Sequence, residues 1–357
     1  MRPTLLLVTL SSVLLADDPV YLNNLGSRFF AAGQYRAAEA PLAQAVELWS
    51  RKPNEHPTDL EAALHNLAAV YLAEGRFSDA EPLYQRAIEL RQARTGEGGL
   101  SLLPTLGGLS LLYLEWGKPV RSREVVTRAV AIAAMHKDEQ TSEAAQGFAS
   151  LGGILIAQGR YPDARLWLGR ALNVREHLFG ADNASVADTL MEVALANRRD
   201  HRYEEAGQAY RQALNIYQQT QDTGKSAFAM RCLAEILISR HKYPEAEQTL
   251  DQATEALEHV GNPVELGRVH AGLADLRVAQ KRFGEAAKLY RQALDLLEPA
   301  FGPENPQLLA ILDAYARALR AGQDYATAAG VDMRTMKIRV SLTLRGQVSS
   351  LSDALVQ

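Results

Sequence analysis

The chain has a single cysteine, no long β-branched run and no excess of charge of one sign, and each shortage closes off a class of protein. Cys232 alone can make neither an internal disulfide nor a cysteine-based metal site. Set mid-helix among apolar neighbours, it reads as a small buried side chain rather than a reactive thiol. Aromatic residues are 7% of the total and Ala and Leu dominate, a composition that favours helices. The 38 basic and 42 acidic residues are interspersed and leave a formal charge of −4, so neither nucleic acid nor an anionic membrane is indicated as a partner. The sequence contains no phosphate-binding glycine loop, no His-Glu-x-x-His, no Gly-x-Ser-x-Gly and no Cys-x-x-Cys. The histidines, among them His65, His136 and His259, fall in different segments without metal-ligand spacing. Gly107-Gly108 reads as close packing. No metal or cofactor and no catalytic activity are therefore expected.

The N-terminus stands apart. Arg2 precedes a largely apolar stretch from Leu5 to Ala16, followed by Asp17-Asp18-Pro19. Residues 1–16 are expected to be a secretory signal peptide cleaved after Ala16, which makes the protein exported, in the periplasm or the medium of a bacterial-type cell. Such a stretch is too short to span a bilayer. A single basic residue and the bulky Leu14 count against this, and the alternative is a buried apolar lead-in to the first helix of a cytoplasmic protein. Asp18 and Pro19 suit a helix N-cap and first helical position.

What the sequence has in abundance is repetition. Gly-x-aromatic-x-x-Ala appears at Gly33 to Ala38, Gly75 to Ala80 and Gly159 to Ala164, with looser copies ending at Ser122, Ala206, Ala246, Ala286 and Ala328. From Ala38 onward these small residues are spaced by either 42 or 40 positions. Before each lies an apolar stripe at helical spacing, such as Leu64, Leu67, Ala68 and Tyr71; after it lies another, such as Ala80, Leu83, Tyr84, Ala87 and Ile88. Glycine at 33, 75, 117 and 159 ends the first helix of a pair without a Cβ penalty. His201, His241 and Lys281 stand at the corresponding turns and predict strain there. Asn262-Pro263 and Asn305-Pro306 mark helix starts, His56-Pro57 resembles them, and Gly180 and Gly302 mark stops.

Two series of small residues follow. Gly26, Ala68, Ser110, Gly152, Ala194, Ala234, Ala274 and Ala316 share one position in the first helices. Ala38, Ala80, Ser122, Ala164, Ala206, Ala246, Ala286 and Ala328 share one in the second. Small residues let paired helices approach, and a hairpin that cannot bury its apolar face alone must stack on its neighbours. Ala80 is thus predicted in a helix-pair interface, Arg91 and Arg86 on exposed faces, and Trp49, Trp116 and Trp167 in packing.

The pattern Leu64-x-x-Leu67-Ala68-x-x-Tyr71, then Ala80-x-x-x-Tyr84-x-x-Ala87, resembles the tetratricopeptide repeat (TPR). The period, together with Leu83-Tyr84-Gln85-Arg86-Ala87-Ile88 and Phe301-Gly302-Pro303-Glu304-Asn305-Pro306, is similar to the long kinesin-light-chain variety. The last repeat, with Asp332 and Thr335 at positions that are apolar or small elsewhere, resembles a C-terminal cap. The resemblance implies an all-α, right-handed superhelical solenoid of about eight helix-turn-helix repeats over residues 17–340, with a tail at 341–357. It implies a non-catalytic scaffold that receives a peptide segment or helix of a protein partner in a groove lined by first helices. The alternative is a sensing module that changes pitch on binding a small peptide or glycan.

Helical geometry nominates the groove residues. With the small residue of a first helix as its eighth position, positions two, five, nine and twelve share one face. These supply Asn23, His65, Met191, Arg198, Arg231, Glu235, Arg268, Asp275, Asp313, Arg317 and Arg320 as candidate partner-binding residues. The first half of the stripe is small and apolar and the second half is charged. Its arginines suit carboxylates, or else pair with the acidic residues beside them.

Overall fold

The computed structural model describes residues 18–354, with side chains to residue 341. The signal segment expected at 1–16 lies outside the described residues. Every regular element among them is helical: α1 (Pro19–Ala31), α2 (Tyr35–Ser50), α3 (Pro57–Ala73), α4 (Phe77–Thr95), α5 (Leu103–Glu115), α6 (Pro119–Met135), α7 (Ser142–Ala157) and α8 (Tyr161–Phe179). These are followed by α9 (Ala184–Arg199), α10 (Tyr203–Gln219), α11 (Thr223–Ser239), α12 (Tyr243–Val260), α13 (Pro263–Ala279), α14 (Phe283–Phe301), α15 (Leu309–Ala321) and α16 (Tyr325–Ala354). Short 3₁₀ turns precede α5 and α15. No helix among the described residues is long and apolar enough to cross a membrane. The last helix runs past residue 340, where the repeat pattern stops.

The chemistry of the ends sets these boundaries. Asp18, Asn183, Asn262 and Asn305 each accept a backbone N–H in the first turn that follows, with Pro19, Pro263 and Pro306 in first-turn positions where a missing N–H does no harm. His56 makes no such cap. Glycines 33, 75, 117 and 159 all take φ between 71° and 75°. His201, His241 and Lys281 are forced to φ of 58°, 59° and 62°, the left-handed strain expected of them.

Residues up to 132 and residues 133–340 form two compact units. In the first, Leu22, Trp49, Leu60 and Leu64 pack as one cluster and Ala38, Leu42, Leu67 and Val70 as another. In the second, one cluster runs continuously from Val186 to Leu276. Both series of small residues are buried throughout. Their size is required: a Cβ on Gly26 would lie 2.4 Å from Leu42 Cγ, and one on Gly152 would lie 2.4 Å from Leu168 Cδ2. Gly108 is equally committed to packing, since its Cβ would strike the Tyr84 ring at 2.6 Å.

Two expectations are corrected. Met191 is 8% exposed and belongs to the core of the second unit, because α9 is buried on a wider arc than one stripe. Arg91 is not free on the surface: it pairs with Glu61, whose side chain is 1% exposed, and donates to the Ser101 carbonyl. Cys232 is buried, and burial pushes its thiol up to about 11, as expected of an inert side chain.

Candidate functional site: a charged pocket on three first helices

The first helices of three successive repeats, α11, α13 and α15, meet around a pocket of about 270 Å³. Arg231 and Glu235 come from α11; Arg268, Ala271, Gly272 and Asp275 from α13; Ala310, Ile311 and Ala314 from α15; and Tyr290 from α14. Four of the predicted groove residues therefore converge, because positions two, five and nine of adjacent first helices lie side by side.

The charges are held in a chain. Arg231 Nη1 donates to Glu235 Oε1 at 2.8 Å, one helical turn away. The other oxygen of Glu235 takes Arg198 from α9, so one carboxylate ties two repeats together. The Arg231 guanidinium lies 5.1 Å from the Phe228 ring centre, a cation–π distance. Its stem passes Gly272, where a Cβ would sit 3.5 Å from Arg231 Cγ and 3.2 Å from Leu250 Cδ2. Arg268 pairs with Glu265 one turn before it and lies 5.8 Å from the Phe301 ring centre.

Asp275 stands exposed at the rim of the pocket, with protein packed close on its inner side. The protein around it raises its carboxyl above its ordinary value, against the opposing effect of the Tyr290 hydroxyl that donates to it. Glu235 raises it further; Arg317 and Arg231 pull it down. Burial and the Asp275 charge together raise the Tyr290 hydroxyl, which stays protonated and remains a donor. Arg317, two turns beyond Ala310 on α15, makes no hydrogen bond or ion pair among the described residues, although its charge is felt at both Asp275 and Tyr290.

The remaining candidates lie elsewhere. Arg320 pairs with Asp332 at 2.5 Å and Asp313 with Arg339 at 2.7 Å, so both are engaged by α16. In the first unit, Asn23 and Ser27 share the Asn66 amide, each at 3.1 Å. His65 meets the Tyr84 ring edge-on at 5.5 Å; burial first, then the Arg91 charge, lowers its pKa to about 4, so it is neutral. A more open hollow of about 460 Å³ is lined by Tyr161, Arg198, Arg199, His201, Tyr203, Glu235 and Ser239. Its aromatic and histidine walls sit in a helix-to-helix turn and at the starts of second helices, which a count along the first helices passes over. Tyr290 was missed likewise, but it had a visible signal: Tyr84, Tyr210 and Tyr290 each stand four residues after the small residue of a second helix.

Repeated helix hairpins closed by small residues define a tetratricopeptide-repeat protein. The chain belongs to the family described as MalT-like TPR region, which matches residues 7–270, and a tetratricopeptide repeat description matches residues 265–339. No curated protein matches the sequence. Among solved structures, BtubC (BKLC) from P. vanneervenii is 22% identical with a TM-score of 0.51, over 62% of this chain and 91% of that one. A Rap protein complexed with competence and sporulation factor is 15% identical with a TM-score of 0.52, over 92% of this chain and 99% of that one. Aspartyl phosphate phosphatase F from Bacillus subtilis is 12% identical with a TM-score of 0.52, over 83% and 75%. At these identities the likeness is one of fold.

Proposed function

We propose that the protein is a non-catalytic interaction module that docks a peptide segment or helix of a protein partner across α11, α13 and α15. The observation that carries this reading is the convergence of Arg231, Glu235, Arg268 and Asp275 from successive repeats on one pocket. A packed helical array needs no charge at these positions. Small side chains at 271, 272, 310 and 314 leave room that larger ones would fill, as suits a site for an incoming side chain. The Rap structure, of like fold, is a complex with competence and sporulation factor, which supports a fold able to hold a ligand. Partner binding should be lost in Ala310→Trp, which fills the pocket from an exposed position, and kept in Arg86→Ala on a second helix. Affinity purification from the native host with the two variants tests this; a partner retained equally by both would place the site elsewhere. We also propose that residues 1–16 direct export. N-terminal mass spectrometry of the native protein should then find Asp17 first, and a chain beginning at Met1 or Arg2 would refute it.

A further inference from the structure

We infer that the open hollow at the turn between α9 and α10 is a site for a phosphate monoester carried on a ring. This site is separate from the docking pocket: of the residues that line the two, only Glu235 is shared.

The lining offers donors. Its one carboxylate is spent, since both oxygens of Glu235 are taken, by Arg198 and Arg231. Arg199 is exposed at the end of α9 and makes no hydrogen bond or ion pair among the described residues. The Tyr161 hydroxyl is likewise unengaged among them. The Tyr203 hydroxyl lies 3.0 Å from His201 Nδ1. With that hydroxyl donating, the proton of the neutral ring sits on Nε2, which becomes a further donor. A ligand that meets unspent donors from the end of α9, the turn and the start of α8 must itself be rich in acceptors.

Charge narrows the class. Around the hollow most charged groups cancel in pairs: Arg160 with Asp163, Arg165 with Asp200, Arg202 with Glu205 and Arg240 with Glu204. Asp275, in the neighbouring pocket, has the charge of Arg317 beside it. Against the three guanidiniums of Arg198, Arg199 and Arg231 stands the single carboxylate of Glu235. Two positive charges are left over. A phosphate monoester carries nearly two negative charges at neutral pH, and a carboxylate carries one.

The walls indicate what bears the phosphate. Tyr161 opens α8 and Tyr203 opens α10, each three residues before the small residue of its helix. Two phenol rings from successive repeats thus line one hollow, and aromatic surfaces take up a ring by stacking or edge contact. A hollow of about 460 Å³ holds a phosphate together with such a ring, whereas the ion alone would leave it mostly unfilled. The ion pairs across the turn fix its walls before any ligand arrives.

The ring can be an aryl group or a sugar, and calorimetry of the full chain with phenyl phosphate, glucose 6-phosphate, inorganic phosphate and benzoate separates the two. One of the esters should bind about 10-fold or more tightly than inorganic phosphate and benzoate, and the tighter ester identifies the ring. Arg199→Gln should weaken that binding about 10-fold or more. Ser239→Trp, which fills the hollow from an exposed position, should abolish it. Both changes are at exposed positions, so the melting temperature should stay that of the wild type. Ala310→Trp, in the docking pocket, should leave ester binding as it was. Benzoate as tight as the esters would overturn the assignment to phosphate, and inorganic phosphate as tight as both would overturn the role of the ring. No binding of either ester, binding that survives Arg199→Gln and Ser239→Trp, or binding lost in Ala310→Trp would overturn the site, and none of these results bears on whether a protein partner docks across α11, α13 and α15.

Discussion

Ser122 Oγ donates to the Ser110 carbonyl at 2.7 Å and lies 3.0 Å from Ser110 Oγ, inside the interface that every other repeat closes with glycine and alanine. The third repeat has thus replaced a pair of methyl or hydrogen contacts by a buried hydroxyl pair. Ser110→Ala removes only the contact between the hydroxyls and leaves the Ser122 hydroxyl its bond to the Ser110 carbonyl, whereas Ser122→Ala removes both. Ser110→Ala and Ser122→Ala should each cost about 0.5–1.5 kcal/mol, and the double variant less than their sum. Urea unfolding of the three variants measures the coupling; strict additivity would mean the hydroxyls act independently.

The Glu61–Arg91 pair gives a second test. Ala80→Leu overfills a closed interface and should cost about 1–3 kcal/mol. Arg91→Leu should cost about as much or more, because it leaves the buried Glu61 carboxylate with only Arg94, which lies at 3.2 Å and is 40% exposed. Arg86→Leu, on an exposed position, should stay within about 0.5 kcal/mol. Adding Glu61→Leu to Arg91→Leu should recover part of the loss. Thermal melting of the four variants would refute the pairing if Arg91→Leu behaved like Arg86→Leu.

Lys281 turns the chain at φ 62° on an exposed surface, where a Cβ is unfavourable. Lys281→Gly should stabilise the protein by about 0.5–1 kcal/mol once the extra freedom of glycine in the unfolded chain is subtracted. The same change at His201 should gain less, since its Nδ1 lies 3.0 Å from the Tyr203 hydroxyl and that contact would be lost. Equal gains at the two sites, measured by urea midpoint, would show that the contact contributes nothing.

Most of the fold was legible because one small residue recurs in each helix, and a close helix pair tolerates nothing larger there; Gly26 against Leu42 and Gly152 against Leu168 show why. The charged stretch from Arg198 to Asp275 was also legible, because polar residues at regular first-helix positions have no role in the core. Which arginines are spent was not legible. Whether Arg320 meets Asp332 of the next helix depends on how one helix leans on another, and no count along a single helix contains that. Met191 shows the same limit, since the arc over which α9 is buried is set by the helices packed around it and not by its own place in the stripe.

Two half-buried groups should give stability an unusual dependence on pH. Burial raises Glu192 from 4.5 to about 7, with Arg175 opposing and Asp188 adding to the rise, and its Oε2 has no hydrogen-bond partner among the described residues. The folded chain keeps this proton up to about pH 7, while the unfolded chain releases it near 4.5, so stability falls as pH rises through that window. Full titration amounts to at most about 3.5 kcal/mol, at about 1.4 kcal/mol per pH unit. His65 acts with the opposite sign: lowered from 6.5 to about 4, it stays neutral in the folded chain while the unfolded chain takes up a proton, so stability rises with pH between those values. Over the shared range the two slopes oppose each other. Glu192→Gln removes one of them, so the variant should gain stability from pH 4.5 to 6.5 where the wild type changes little. At pH 8 it should exceed the wild type by about 1–3 kcal/mol. Urea denaturation at pH 4.5, 6.5 and 8 decides the matter: a variant no more stable than the wild type at pH 8, with an unchanged slope below 6.5, would show that Glu192 ionises in the folded protein as it does in water.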